Sequence, residues 1–98
     1  MPKAFSIDDI DPDIADLLPA YVQSQRSNLS VLDQAFKHKD YSTIEHLSHN
    51  MKGVASSYGL KGLSELGALL EDATKEKKYS HINDLLGQIN TYLNSIML

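Results

Sequence analysis

Ile44-Glu45-His46-Leu47-Ser48-His49-Asn50-Met51-Lys52-Gly53-Val54-Ala55-Ser56-Ser57-Tyr58-Gly59 is the most informative run in the chain. Wound into a helix at about 100° per residue, it gathers Ile44, Leu47, Met51, Val54, Ala55 and Tyr58 on one face. That stripe covers roughly a third of the circumference, the width of a core-facing surface. His49 then points away from it, into water. Lys52, Gly53 and Ser56 lie beside His49 further along the helix, and Glu45 lies one turn before it. A glycine inside a helix costs about 1 kcal/mol relative to alanine. Gly53 sits on the water side, so close contact with another helix does not explain it. What it supplies is bare backbone one turn from the imidazole, where another protein's surface can approach. An ammonium at Lys52 is placed to stabilise a dianionic group attached to the ring, and Ser56 could add a hydroxyl donor.

The flanking segments give this helix its partners. Asp40, Ser42 or Thr43 can cap its start, and Gly59 stands where a left-handed C-terminal residue is wanted, so the helix is expected over about 42–58. Upstream, Asp11-Pro12 reads as an N-cap followed by proline at the first helical position. Ile14, Leu17 and Leu18 begin a stripe that Pro19 interrupts. The expectation is a short helix over 12–18 followed by a longer one from 19, or one helix kinked there. Tyr21, Val22, Leu29, Leu32, Ala35 and Phe36 carry the stripe on to Lys37-His38-Lys39. Phe5, Ile7 and Ile10 suggest an ordered lead-in over residues 1–10. Downstream of the tight link Leu60-Lys61-Gly62, residues Leu63, Leu66, Leu69, Leu70 and Ala73 mark a third helix. Ser80 can cap a last helix bearing Ile82, Leu85, Leu86, Ile89, Tyr92, Leu93, Ile96 and Met97. No segment alternates with period two, and the only repetition is the shared helical periodicity. The fold class expected is all-α, an antiparallel up-down four-helix bundle with a short N-terminal helix or kinked lead-in.

With 98 residues, 42% of them hydrophobic, the chain is expected to form a single domain over 1–98. It has no cysteine, which excludes disulfide and thiolate chemistry and suits the cytoplasm. Apolar runs are far shorter than the roughly 20 residues that span a bilayer, and the N-terminus lacks a signal-peptide core. A net charge of −4 argues against nucleic-acid binding. Lys75, Lys77 and Lys78 are broken by Glu76 and read as a solvated helix end. A monomer is expected. His46 and His49, with Glu45 four residues before His49, could hold a metal, but nothing completes a tetrahedral set and no metal is expected. A purely structural helical interaction module is the other rival.

The run His49-Asn50-Met51-Lys52-Gly53, with Gly59 six residues after Gly53, resembles the core motif of histidine-containing phosphotransfer (HPt) domains, His-x-x-Lys-Gly and a second glycine. Ala35-Phe36, Asp40-Tyr41 and Ile44-x-x-Leu47 upstream, and Leu63-x-x-Leu66 and Leu70-Glu71 downstream, extend the resemblance over nearly the whole chain. Val54 departs from the small residue that often follows the first glycine. The resemblance implies a phosphorelay intermediate. His49 would accept a phosphoryl group, through Nε2 in that family, from a receiver-domain phosphoaspartate and pass it reversibly to another receiver. Partners implied are response-regulator receiver domains and the receiver of a hybrid histidine kinase. Mg²⁺ is expected on the receiver, with no cofactor and no independent catalytic machinery here. Lys52, Gly53, Ser56, Glu45 and His46 are the supporting residues. Imidazole suits such a task because, near an ordinary pKa of about 6.5, a large fraction is neutral at pH 7.

Overall fold

Four amphipathic segments of the chain coil into helices, and a computed structural model describes them over residues 12–96, with side chains from Asp16 onward. Helix α1 spans Pro12–Lys37, α2 Tyr41–Val54, α3 Lys61–Lys75 and α4 Tyr79–Asn94, and a single 3₁₀ turn, Ala55–Tyr58, follows α2. There is no strand among the described residues. The expected lead-in over residues 1–10, the Asp11 cap, and the side chains of Ile14 and Met97 lie outside them.

Each helix packs on two neighbours, α1 on α2 and α4, and α3 on α2 and α4, so the apolar stripes close on one core. Leu18, Leu32, Ile44, Leu60, Leu63, Leu70, Ile82 and Ile89 at its centre are fully buried. Burial of side chains of this size stabilises a fold by about 1.5–3 kcal/mol each, which is what holds such short helices together.

Several local expectations change. Of the two alternatives at Pro19, the division into two helices does not occur: α1 runs through it as one helix. Leu18 and Val22 are buried on either side of it while Pro19 itself is exposed, so packing of the flanking residues keeps the helical register. The segment expected as one helix over 42–58 changes pitch at Ala55. Ala55 is fully buried, but Val54, the last residue of α2, is 43% exposed, off the apolar face assigned to it. At about 100° per residue it lies about 80° round the helix from Ile44, at the edge of the stripe. Leu17 and Leu69 are likewise exposed, each about 100° round its helix from a buried leucine, Leu18 and Leu70. Ser80 caps nothing, because α4 starts at Tyr79, with Lys78 at the cap position, and Ser80 already lies inside the helix. Asp40 is the cap of α2, accepting from the Thr43 amide at 3.2 Å and the Thr43 hydroxyl at 2.6 Å. These bonds hold its carboxyl below the usual range. Gly59 ends the 3₁₀ turn in the left-handed region, at φ 78°.

The α1–α2 and α3–α4 links are one turn used twice. In both, the third residue after a helix-ending lysine donates back five residues, Asp40 to Ala35 and Lys78 to Ala73. In both, a lysine occupies the left-handed region, Lys39 and Lys77 each at φ 59°. The sequences Lys37-His38-Lys39-Asp40-Tyr41-Ser42 and Lys75-Glu76-Lys77-Lys78-Tyr79-Ser80 match accordingly, a short repeat hidden beneath the helical periodicity. Its two tyrosines, Tyr41 and Tyr79, stack on each other with centroids 4.8 Å apart, tying the links together at one end of the bundle.

Candidate functional site

The central part of α2 lies unusually close to α3, and the sequence of α3 explains how. A β-carbon at Gly67 would stand 2.8 Å from the Lys52 amide nitrogen and 3.0 Å from the Ser48 carbonyl oxygen, so only glycine admits this approach. Ser64 strengthens it, donating from its hydroxyl to the Lys52 carbonyl at 2.7 Å. Ser48 is fully buried between the helices and donates to the Glu45 carbonyl. One turn past Gly67, α3 carries Glu71.

Glu71 is only 4% exposed, yet it lies just under the surface and reaches the edge of the exposed face of α2. Its Oε2 is 2.9 Å from His49 Nδ1, its Oε1 is 3.4 Å from Lys52 Nζ, and Lys75 Nζ is 3.4 Å from Oε2. Burial by itself would raise the carboxyl's pKa. The hydrogen bond from His49 and the ammonium groups of Lys75 and Lys52 outweigh it and hold the pKa below the ordinary value. Glu71 is therefore ionised at neutral pH, and a carboxylate only accepts hydrogen bonds. Nδ1 of His49 must be the donor, so in the neutral ring the proton is on Nδ1 and the lone pair is on Nε2. The His49 side chain is 66% exposed. The result is a fixed tautomer, an outward nucleophilic nitrogen, and two cations around one buried anion.

The sequence-derived candidates fall into two groups. His49 and Lys52 meet at Glu71, and Gly53 has nothing within 4 Å of where its β-carbon would be, so bare backbone lies one turn from the ring. Glu45 and His46 line a groove of about 760 Å³ beside His49, together with Tyr41, Lys75 and Tyr79. The His46 ring is exposed and lies 3.5 Å from the Asn50 amide. Glu45 does not hold the ring; Glu71 does. Ser56 stands apart, exposed in the 3₁₀ turn and absent from the groove, because the helix that would have carried it back toward His49 ends at Val54. Among the described residues no three His, Asp or Glu side chains gather as a metal site. Glu71 was missed as a site residue, although its position carries a signal. It falls on the buried stripe of α3 beside Leu70 and Thr74, where a charge needs partners.

The family model for the Hpt domain matches residues 16–97. The chain belongs to the Hpt domain family. Hpt domains are phosphocarrier modules that serve histidine phosphotransfer in two-component phosphorelays, where they meet receiver domains and histidine kinases. No curated protein and no solved structure matches the chain. Among the described residues of this Hpt domain, no helix is long and apolar enough to cross a membrane.

Proposed function

We propose that this chain, as a single domain, is a phosphorelay intermediate that takes a phosphoryl group onto Nε2 of His49 from a receiver-domain phosphoaspartate and returns it to another receiver. The observation that carries the reading is the 2.9 Å contact between His49 Nδ1 and the buried Glu71 carboxylate. It leaves the opposite nitrogen free on the exposed side of the ring.

The step balances without an added base. The Nε2 lone pair attacks phosphorus, the N–P bond forms, and the acyl O–P bond breaks with its electron pair going to the aspartate carboxylate. The ring keeps its Nδ1 proton and acquires positive charge, which faces Glu71 and is stabilised there. In the return direction the same neutral imidazole is the leaving group, which supports reversible transfer. Lys52 contributes a cation beside the incoming phosphoryl oxygens, and Gly53 leaves room for the partner. Mg²⁺ belongs to the receiver in this scheme, and the chain's own part is presentation and charge rather than independent catalysis. The reading includes a monomeric, cytoplasmic protein with an up-down antiparallel helix order. The three-residue links 38–40 and 76–78 support that order, since so short a connection turns a helix back along its neighbour.

The test is incubation of the protein and of His49→Gln with ³²P-labelled receivers. Acid-labile, base-stable label on the wild type alone is expected. Equal label on His49→Gln would refute the assignment.

A further inference from the structure

One oxygen of Glu71 serves two donors. His49 Nδ1 reaches Oε2 at 2.9 Å from α2, and Lys75 Nζ reaches the same atom at 3.4 Å from the next turn of α3. Lys52 Nζ takes the other oxygen, Oε1, at 3.4 Å. Lys75 lines the groove together with His49, whereas Lys52 is no part of it. The transfer scheme gives tasks to His49, Glu71 and Lys52 and leaves Lys75 without one.

A buried carboxylate beside an imidazole, left to itself, favours the charged ring. That state is useless for attack, because the second proton would occupy Nε2. Here the carboxylate already faces two ammonium groups, and a protonated ring would bring a third positive charge to it. Lys75 acts on the very oxygen that the ring uses, so it weakens the hold of that oxygen on the ring's positive charge. It also does more than Lys52 to keep the carboxyl ionised, after burial, which works the other way, and after the His49 bond. The remaining ionisable groups of the groove are Glu45, His46 and Tyr41 from α2, Lys77 from the α3–α4 link and Tyr79 from α4. Among the described residues only His49, Lys52 and Lys75 pair with Glu71.

Resting on the phosphotransfer reading, we propose that Lys75 is a positioning residue for His49: by sharing Oε2 of Glu71 it keeps the ring neutral, with Nε2 unprotonated, at the pH where transfer runs. Glu71 decides which nitrogen carries the proton, and Lys75 limits the ring to one. Phosphoryl transfer passes through a loose transition state with little bond to the incoming nitrogen, so the same cation opposes the step itself only weakly. The Lys75 side chain is half-exposed, so water screens it and its effect on the ring is modest.

The experiment follows protonation of the His49 ring by ¹H–¹⁵N NMR over about pH 5 to 9 in the wild type, Lys75→Met, Lys75→Arg and Lys77→Met. Transfer from a labelled receiver is then measured over the same range in the same four proteins. Lys75→Met keeps the aliphatic stem and loses the charge. Expected is half-protonation of the ring about 0.5 pH units higher in Lys75→Met than in the wild type, with Lys75→Arg and Lys77→Met within about 0.2. Transfer by Lys75→Met should be about threefold slower on the acid limb of the profile and equal to the wild type on the alkaline plateau. Coincident ring curves for Lys75→Met and the wild type, or transfer slowed equally at every pH, would overturn the role of Lys75 and leave the phosphotransfer reading intact. No label on the wild type from any receiver would overturn that reading, while the ring curves, which need no receiver, would still decide whether Lys75 governs the ring's charge.

Discussion

Two glycines in the helices, Gly53 and Gly67, should respond in opposite ways to the same substitution. At Gly53 an alanine methyl meets nothing within 4 Å, so the change should stabilise the fold by up to about 1 kcal/mol through helix propensity alone. At Gly67 the methyl carbon would lie 2.8 Å from the Lys52 nitrogen, 3.0 Å from Met51 Cγ and 3.0 Å from the Ser48 oxygen. The methionine can swing aside; the two backbone atoms cannot. To reach ordinary contact the helices must separate by roughly half an ångström. Overpacking of this kind costs about 1–3 kcal/mol, and subtracting the propensity gain of about 1 kcal/mol leaves a net loss of up to about 2 kcal/mol. In a domain of this size 1 kcal/mol moves Tm by about 4–8 °C, so the two variants should melt well apart on either side of the wild type. Thermal unfolding followed by circular dichroism reads this directly. Function should split differently. Gly53→Ala narrows the approach to His49 and slows transfer in a stabler protein, whereas Gly67→Ala stretches the 2.9 Å contact between His49 and Glu71. If Gly67→Ala melts as high as Gly53→Ala, the close approach of α2 and α3 is not what keeps Gly67 a glycine.

Glu71→Gln keeps an acceptor for Nδ1 and loses the charge, so transfer should slow by about 1 kcal/mol in the barrier, roughly fivefold, in single-turnover assays. Lys52→Met removes a half-exposed cation, so stability should change by less than about 0.5 kcal/mol while transfer slows on the order of tenfold; an equal loss in both would contradict its assigned place. Because the folded state holds the Glu71 pKa below the ordinary value of 4.5, its stabilising contribution is complete above that pH and is lost as pH falls through the lower folded value. Tm of the wild type should therefore drop on acidification below about pH 4.5, and more steeply than that of Glu71→Gln. Parallel curves would mean that the carboxylate adds nothing to the fold.

Much of this was visible in the chain itself. Helical periodicity located four helices, Gly59 marked the end of the segment that carries His49, and the exposure of His49 followed from its angle to Met51 and Ile44. Periodicity assumes one pitch, however, and Ser56 was misplaced where the 3.6-residue winding tightens to 3₁₀, while Val54 stands at the edge of its stripe, where an angle alone does not decide burial. Glu71 was harder to see because its contact with His49 spans 22 residues of sequence. Charge on a buried stripe was the only local sign, and it does not name the partner. Gly67 carried the same kind of information: a glycine inside a helix whose reason lies on another helix. The twin turns at Lys39 and Lys77 were present in the letters but fell between the periodic segments.

The decisive measurement is the site and isomer of phosphohistidine formed after incubation with a phosphorylated receiver, read by ³¹P–¹⁵N correlation NMR on ring-labelled protein. The expected product carries phosphorus on Nε2 of His49, with the Nδ1 proton still present. Phosphorus on Nδ1, or on His46 in place of His49, would contradict the role given to Glu71 and to the exposed face of α2.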